Sequence, residues 1–302
     1  MNNEVIQMKL GIDLGNGYVK FKDKKFASRV KVGRLATFGE RRSDVFEVVY
    51  DGVFYTVGEG QVFTTDERYF TDDYKICLLT AIAESTNEDV IEAEICVGMP
   101  VSSFMSNKRG EVEKYLNNLG VQKIILNGVE KIINIKKAIV FVEGAYVIES
   151  KDKENVITID IGAGTVNIIQ WENQVPVEFD TKYKSFYNLY SKIAKHLKDT
   201  NRGVVSPAYI EENLGAESII INQTNVDIKD THKIIEKHII ELASEINGYF
   251  NVSQASKIQI LGGGAFPTFK YWKNIYKDGC ELIADSQFVN SKIYEKVIAN
   301  EQ

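Results

Sequence analysis

One short pattern occurs twice, about half a chain apart, and nothing else in the sequence limits its possible folds so strongly. Ile12-Asp13-Leu14-Gly15-Asn16-Gly17 lies near the start, and Ile159-Asp160-Ile161-Gly162-Ala163-Gly164-Thr165 lies near the middle. In each copy the preceding apolar run, Met8 to Leu14 and Val156 to Ile161, reads as a buried strand. The glycines let a hairpin turn tightly and let bare backbone N–H groups approach phosphate oxygens. An Asp cannot sit on a phosphate, because like charges repel; it holds something positive instead, and a hydrated magnesium fits. A single copy reads as readily as a β-hairpin whose Asp and Gly only make the turn. Two copies, in two halves, point to a duplicated nucleotide clamp in which Asp13 and Asp160 grip the water shell of one ion.

Composition sets outer bounds. At 302 residues the chain has room for two domains with real cores. Hydrophobic content of 44% and charged content of 26% are ordinary for a soluble globular protein. The net charge of −6 argues against direct coating of nucleic acid. No apolar stretch is long enough to span a bilayer, and Met1 to Leu10 lacks the basic start and apolar stretch of a signal peptide. Cys77, Cys96 and Cys280 are odd in number and lack metal-site spacing, so they read as reduced thiols of a cytoplasmic protein. His196, His232 and His238 show no ligand pattern and are expected to be solvated.

Along the chain, Asp51-Gly52 between Phe46–Tyr50 and Val53–Val57 signals a hairpin, as does Asn127-Gly128. Helical spacing predicts a helix over Asp73–Ala83. Glu94–Gly98 reads as a strand leading into Met99-Pro100, after which Ser102 or Ser103 is expected to cap a helix running to Gly120. Ala138–Val142 reads as a strand ending at Glu143-Gly144-Ala145. The second half opens at the charged loop 151–154 and repeats the strand–turn–strand start. Helices are expected over Ser185–Lys198, from Ser206-Pro207 to Gly215, and over Thr231–Phe250. Ile258–Leu261 is a strand running straight into Gly262-Gly263-Gly264-Ala265, and Phe266–Gln302 is expected to be helical at both ends. The order defines an α/β fold of two duplicated domains, 1–150 and 151–302, with inserts at about 30–72 and 176–230. The C-terminal segment is open to returning to the first domain. Ligands in such folds sit at strand ends, here in a cleft between the halves.

Three further positions carry chemistry. Lys20, on the strand after the first glycine turn, reads either as a solvated lysine or as a point charge reaching back to a β- or γ-phosphate. Glu143, at a strand end, either stabilises a helix start or orients the water that attacks a γ-phosphorus. Three glycines directly after a strand let backbone lie flat against a bulky group such as a ribose and its α-phosphate. No Gly-x-x-x-x-Gly-Lys-Ser/Thr run, dinucleotide fingerprint, zinc ligand set or serine nucleophile elbow is present.

Five segments, in order, resemble the actin, sugar-kinase and heat-shock chaperone superfamily: Asp13-Leu-Gly-Asn-Gly with Lys20, Phe141-Val-Glu143-Gly, Asp160-Ile-Gly-Ala-Gly-Thr165, Leu261-Gly-Gly-Gly-Ala265 and Phe288-Val-Asn290. They look like its phosphate-one, first connecting, phosphate-two, adenosine and second connecting motifs. Val97-Gly98-Met99-Pro100, Tyr50-Asp51-Gly52, Tyr55-Thr-Val-Gly58 and Gln287-Phe288-Val289-Asn290 resemble in particular the ParM-type actins that segregate plasmids. The resemblance implies ribonuclease-H-like (actin-like) domains and an ATPase. It implies that Asp13 and Asp160 hold magnesium through water. Gly15, Asn16, Gly17 and Tyr18 wrap the phosphates with Lys20 beside them, and Gly162, Gly164 and Thr165 close the opposite side. Glu143 and Asp160 take the catalytic positions, Glu143 placing the water. Gly262, Gly263, Gly264 and Ala265 hold the nucleoside, with Tyr209–Glu212 beside the adenine. The implied ligand is ATP, with GTP open, together with Mg2+. The implied partners are further copies of the chain in a head-to-tail filament and a ParR-like DNA-binding adaptor, so that DNA is engaged only indirectly and no membrane is involved. Two rivals stand beside this expectation: a non-polymerising nucleotide-binding scaffold, and a small-molecule kinase of the same superfamily.

Overall fold

The apolar run that ends at Leu14 starts earlier than its sequence suggests. Strand β1 spans Val5–Leu14, and its second half, from Leu10, is buried throughout. The reason is pairing on both edges: β2 (Tyr18–Phe21) lies antiparallel on one side, and β8 (Val90–Met99) runs parallel on the other. A strand flanked this way and covered on its faces reads as a continuous apolar stretch. The computed structural model describes residues 5–34, 42–62, 66–150, 154–183 and 185–301; most of the charged loop 151–154 lies outside them. The chain divides into two units, Met1–Ala145 with Phe288–Gln302, and Tyr146–Gln287.

The first unit is built on a ten-stranded sheet. Its inner five strands run β3-β2-β1-β8-β10, with β3 at Lys24–Ala27 and β10 at Val129–Val142. The 14-residue β10 carries the sheet outward: its first half pairs with β9 (Val121–Leu126) across the Asn127-Gly128 turn. Beyond β9 come β5 (Phe46–Tyr50), β6 (Val53–Val57), β4 (Arg29–Val32) and the short β7 (Gln61–Val62). Asp51 and Gly52 both take positive φ, the geometry a two-residue hairpin turn needs to match strand twist.

The helix Asp72–Glu84 packs into this sheet and is apolar on nearly every side, with Tyr74 and each residue from Ile76 to Ala83 buried. Thr71 starts it by accepting a hydrogen bond from the Tyr74 amide, and Asp72 and Asp73 face the positive helix end. After β8, the expected single capped helix is two pieces, Val101–Phe104 and Lys108–Asn117. Pro100 rather than a serine holds the first N-cap and makes no side-chain cap bond, so neither Ser102 nor Ser103 plays the expected role.

The last helix, Val289–Asn300, belongs to the first unit. It approaches β1 and β8 so closely that a Cβ on Gly11 would collide with Ser291 O and Glu295 N, and one on Gly98 with the Tyr294 ring. Two glycines on neighbouring strands thus make the bed for one helix.

The second unit repeats the inner sheet. Its five strands run β13-β12-β11-β16-β17: β11 (Val156–Ile161), β12 (Thr165–Glu172), β13 (Val175–Tyr183), β16 (Lys257–Leu261) and β17 (Cys280–Leu282). In both units the first three strands form an antiparallel meander and the next two run parallel to the first. Val175–Tyr183 is therefore an edge strand of this main sheet. The connection that follows holds the helices Ser185–Asp199 and Pro207–Glu212 and a separate hairpin, β14 (Ser218–Ile221) with β15 (Thr224–Asp227). Ser206 accepts a hydrogen bond from the Tyr209 amide, with Pro207 at the first helical position. The core gathers Ile157, Ile159 and Ile161 of β11 against Phe186, Leu189 and Ile193, and against Ile235, Ile239, Leu242 and Ile246 of the helix His232–Tyr249.

Candidate functional site

Each acidic glycine turn lies at the end of the central strand of its own unit. In the first unit Asp13 is the last residue but one of β1, and directly across the ladder from it stands Lys20. Both are buried, and Lys20 Nζ lies 2.9 Å from Asp13 Oδ2. Lys20 is thus neither solvated nor held out toward the loop: it neutralises the aspartate. The turn Gly15-Asn16-Gly17 is clamped from below by Ser28, whose amide donates to Gly17 O and whose hydroxyl donates to Gly15 O at 2.6 Å. Tyr18 is half-buried, with the Lys25 ammonium 5.0 Å above its ring.

Glu143 follows the last residue of β10 and is buried, its amide donating to Met99 O. Gly144, at positive φ, turns the chain there, and its amide donates to Asn290 Oδ1 at 3.1 Å. Asn290, itself buried in the first turn of the last helix, therefore ties that helix to the turn carrying Glu143.

Arg68 was not legible as a site residue. It lies in a 3-10 turn, Asp66–Phe70, and is only 4% exposed. Its Nη1 donates to Asn16 Oδ1 at 2.7 Å, and its Nη2 lies 3.9 Å from Glu143 Oε1. Burial opposes the guanidinium charge, but Tyr69 and Glu143 outweigh it and push the pKa further up. The first unit thus gathers Asp13, Lys20, Asn16, Arg68 and Glu143 around one turn.

In the second unit Asp160 is again the last residue but one of its strand and is buried to the same 4% as Asp13. Its cross-strand partner is the neutral Asn167, whose Oδ1 accepts from the Thr181 hydroxyl. The turns match: a Cβ on Gly15 would stand 3.0 Å from Tyr18 O, and one on Gly162 would stand 3.0 Å from Thr165 O. Gly162 N closes its turn on Thr165 O at 2.9 Å, Ala163 O accepts from the Tyr187 amide, and Gly164 and Thr165 are buried.

The triple glycine sits beside this aspartate, and two of its members are demanded by the fold itself. Gly262 has a φ of +89°, and a Cβ on it would collide with Asp160 Oδ1. A Cβ on Gly264 would strike the Ile161 side chain. Gly263 alone is exposed, with open space where its side chain would be. Gly264 N donates to Ile161 O, and Ala265 then opens the helix Ala265–Tyr276. Tyr209 lies on the helix Pro207–Glu212, its hydroxyl donating to Ile220 O.

The histidines are engaged rather than solvated. His196 Nε2 lies 2.7 Å from Asp230 Oδ2, beside the Arg202 fork on the same carboxylate. His232 Nε2 meets the carbonyls of Gly215 and Ala216, and His238 Nε2 meets Ser185 Oγ at 3.1 Å. All three cysteines are free and buried. Among the described residues, no cluster of three metal-ligating side chains occurs, and no helix is long and apolar enough to cross a membrane.

Two meander-plus-parallel sheets, each ending its central strand in a buried Asp followed by a glycine turn, define an actin-type α/β fold. Residues 11–145 match the family model for the N-terminal domain of actin-like proteins. Among solved structures it is similar to Ta0583, an archaeal actin homologue, with 18% identity, 97% of this chain and 99% of that one covered, and a TM-score of 0.82. Ta0583 is also known in complex with ADP. The chain is similar to the psk41 ParM protein in its apo form at 25% identity, covering 97% of each chain with a TM-score of 0.70. It is likewise similar to the subunit of a 15-stranded ParM filament from Clostridium botulinum, at 18% identity, 97% and 99% coverage and a TM-score of 0.80. No curated protein matches the chain.

Proposed function

We propose that this chain is a nucleotide-dependent actin-like filament protein. It binds ATP with Mg2+, hydrolyses it, and moves plasmid DNA through a basic, ParR-like adaptor in the cytoplasm. The observation that carries the reading is the placement of Asp13 and Asp160 at the same position of the same strand in two copies of one sheet. Fold drift alone gives no reason to keep a buried carboxylate at both strand ends.

The residues fit a magnesium–triphosphate. In each unit a buried carboxylate suits a cation held through its water shell, and the absence of a side chain at Gly262 lets backbone pack directly against Asp160. Amides of the Gly15–Gly17 turn and of Ala163 and Gly164 are the donors suited to phosphate oxygens. Bound magnesium neutralises phosphate charge and so eases attack at the γ-phosphorus. Glu143 orients the attacking water and accepts its proton. Lys20 moves between Asp13 and a phosphate oxygen, so that its charge is never buried alone. Loss of the γ-phosphate removes phosphate contacts, which weakens the state that assembles. Repeated head-to-tail contacts that do not close give a polymer. The filament-forming proteins among the similar structures and the likeness to psk41 ParM support this direction.

Sedimentation with ATP, GTP, ADP or no nucleotide, with phosphate release followed in parallel, tests the reading. Polymer that pellets only with a triphosphate supports it. Absence of polymer at any concentration rejects it in favour of a scaffold, and phosphate transfer only to an added acceptor rejects it in favour of a kinase.

A further inference from the structure

Arg68 stands out because its charge is buried yet directed at two residues of the candidate site. The turn that carries it is fixed by the following helix cap: Thr71 Oγ1 donates to Arg68 O at 2.7 Å, and Thr71 N donates to the same oxygen. Its side chain lies against the aromatic pair Tyr69 and Tyr74, with the Tyr69 ring 5.0 Å from the guanidinium carbon. From there Nη1 donates to Asn16, the middle residue of the phosphate turn, while Nη2 donates to the Tyr69 hydroxyl at 3.4 Å and lies 3.9 Å from the Glu143 carboxylate. A buried guanidinium that only filled space would need partners, but any acceptors would serve. Besides the adjacent Tyr69, the groups it reaches lie 52 and 75 positions away in the chain, and one is the carboxylate assigned to the water.

We infer that Arg68 is a positioning residue, bracing the Asn16 turn and the Glu143 carboxylate against each other so that phosphate and attacking water share one geometry. The inference rests on the nucleotide reading above. It concerns the hydrolytic step: a planar fork reaching two partners fixes their separation, which a point charge cannot do. A displacement of that separation slows a reaction that depends on alignment while leaving most of the binding contacts in place.

The experiment measures nucleotide affinity with a fluorescent analogue, steady-state hydrolysis and thermal unfolding on the full chain. R68Q is expected to lower kcat at least tenfold while KM and analogue affinity change less than threefold. R68K, which keeps the charge and loses the fork, is expected to fall between R68Q and the wild type, at least threefold below the latter. In an E143Q background, R68Q is expected to cost nothing further. Without nucleotide, R68Q and N16A are expected to couple in unfolding, their combined effect falling short of the sum of the two. A folded R68Q with wild-type kcat overturns the inference, and so does an equal loss in both Glu143 backgrounds. Should R68Q not fold, R68K decides: unchanged kcat overturns the proposal, and a threefold or greater fall at constant KM supports it. A wild-type protein that neither binds nor hydrolyses nucleotide defeats the underlying reading instead, and the inference falls with it.

Discussion

Lys20 Nζ sits 2.9 Å from Asp13 Oδ2, and the two residues are direct cross-strand neighbours on β1 and β2. The equivalent position in the second unit, opposite Asp160, is the neutral Asn167. The duplicated sites are therefore electrostatically unlike. One aspartate faces its own counter-charge across the ladder, and the other faces an amide there and has the Gly262 backbone packed directly against it.

This asymmetry makes Lys20 a structural residue in the nucleotide-free protein. Removing one partner of a buried ion pair strands the other, at a cost of about 3–5 kcal/mol. Lys20→Met is expected to destabilise the protein by about that amount in urea unfolding without nucleotide. Adding Asp13→Asn is expected to restore much of the loss, because the stranded charge goes with it. A Lys20→Met protein as stable as the wild type would show that water already screens Asp13.

The two aspartates are also expected to matter in a metal-dependent way. Asp13→Asn and Asp160→Asn should each weaken magnesium-dependent nucleotide binding by about 10–100-fold, the usual cost of losing a partner that acts through a metal's water shell. Titration of a fluorescent nucleotide with and without EDTA checks this. Equal affinities with and without metal in the wild type would remove the role given to both residues.

The parts of the site legible in the sequence were those made locally. Asp13 and Asp160, with their glycine turns, are fixed by spacing within one hairpin, so strand pattern alone located them. Glu143 was legible because a strand visibly ends there. Arg68 and Ser28 were not, since they act on residues 52 and 13 positions away, and Asn290 lay in a segment marked only by resemblance, its tie to Gly144 across 146 positions being invisible in sequence. Nothing near Arg68 distinguishes it from a solvated arginine; burial does, and burial is a tertiary property. The triple glycine was located, but two of its members turn out to serve Asp160 and Ile161 rather than open space. The edge strand β13 does alternate, with Val175, Val177, Phe179, Thr181 and Tyr183 set against polar residues, but Pro176 weakens the strand signal at its start and the run is mostly exposed.

Gly11 offers a test of how the last helix is held. A Cβ at Gly11 would strike the backbone of that helix at Ser291 and Glu295, where no side chain can rotate away. Gly11→Ala is expected to destabilise by about 1–3 kcal/mol or more, as overpacking does. Gly110→Ala is the control. It lies in the helix Lys108–Asn117 with no neighbour near its missing side chain, so it should stabilise by about 0.5–1 kcal/mol. Chemical denaturation of both variants settles the comparison, and equal signs would refute the packing account of Gly11.

His238 makes stability depend on pH in a direction that can be worked out. Burial depresses its pKa from the ordinary value of 6.5, the nearby Lys192 adds to this, and Glu241 and Glu245 oppose it without reversing it. The folded state therefore holds the neutral ring, with Ser185 Oγ at 3.1 Å and the Phe186 ring edge-on at 5.6 Å. Above 6.5 the ring is neutral in both states and contributes no slope. As pH falls below that value the unfolded chain takes up the proton first, so unfolding is favoured until the folded pKa is passed. A single such group adds at most about 1.4 kcal/mol per pH unit to the slope. His238→Gln keeps a polar group near Ser185 and removes the titration. It is expected to flatten the stability profile on the acid side of 6.5 while leaving the slope at pH 8 unchanged. Denaturation midpoints measured across that range check it: a variant whose acid slope matches the wild type would show that the ring is protonated as easily in the fold as outside it.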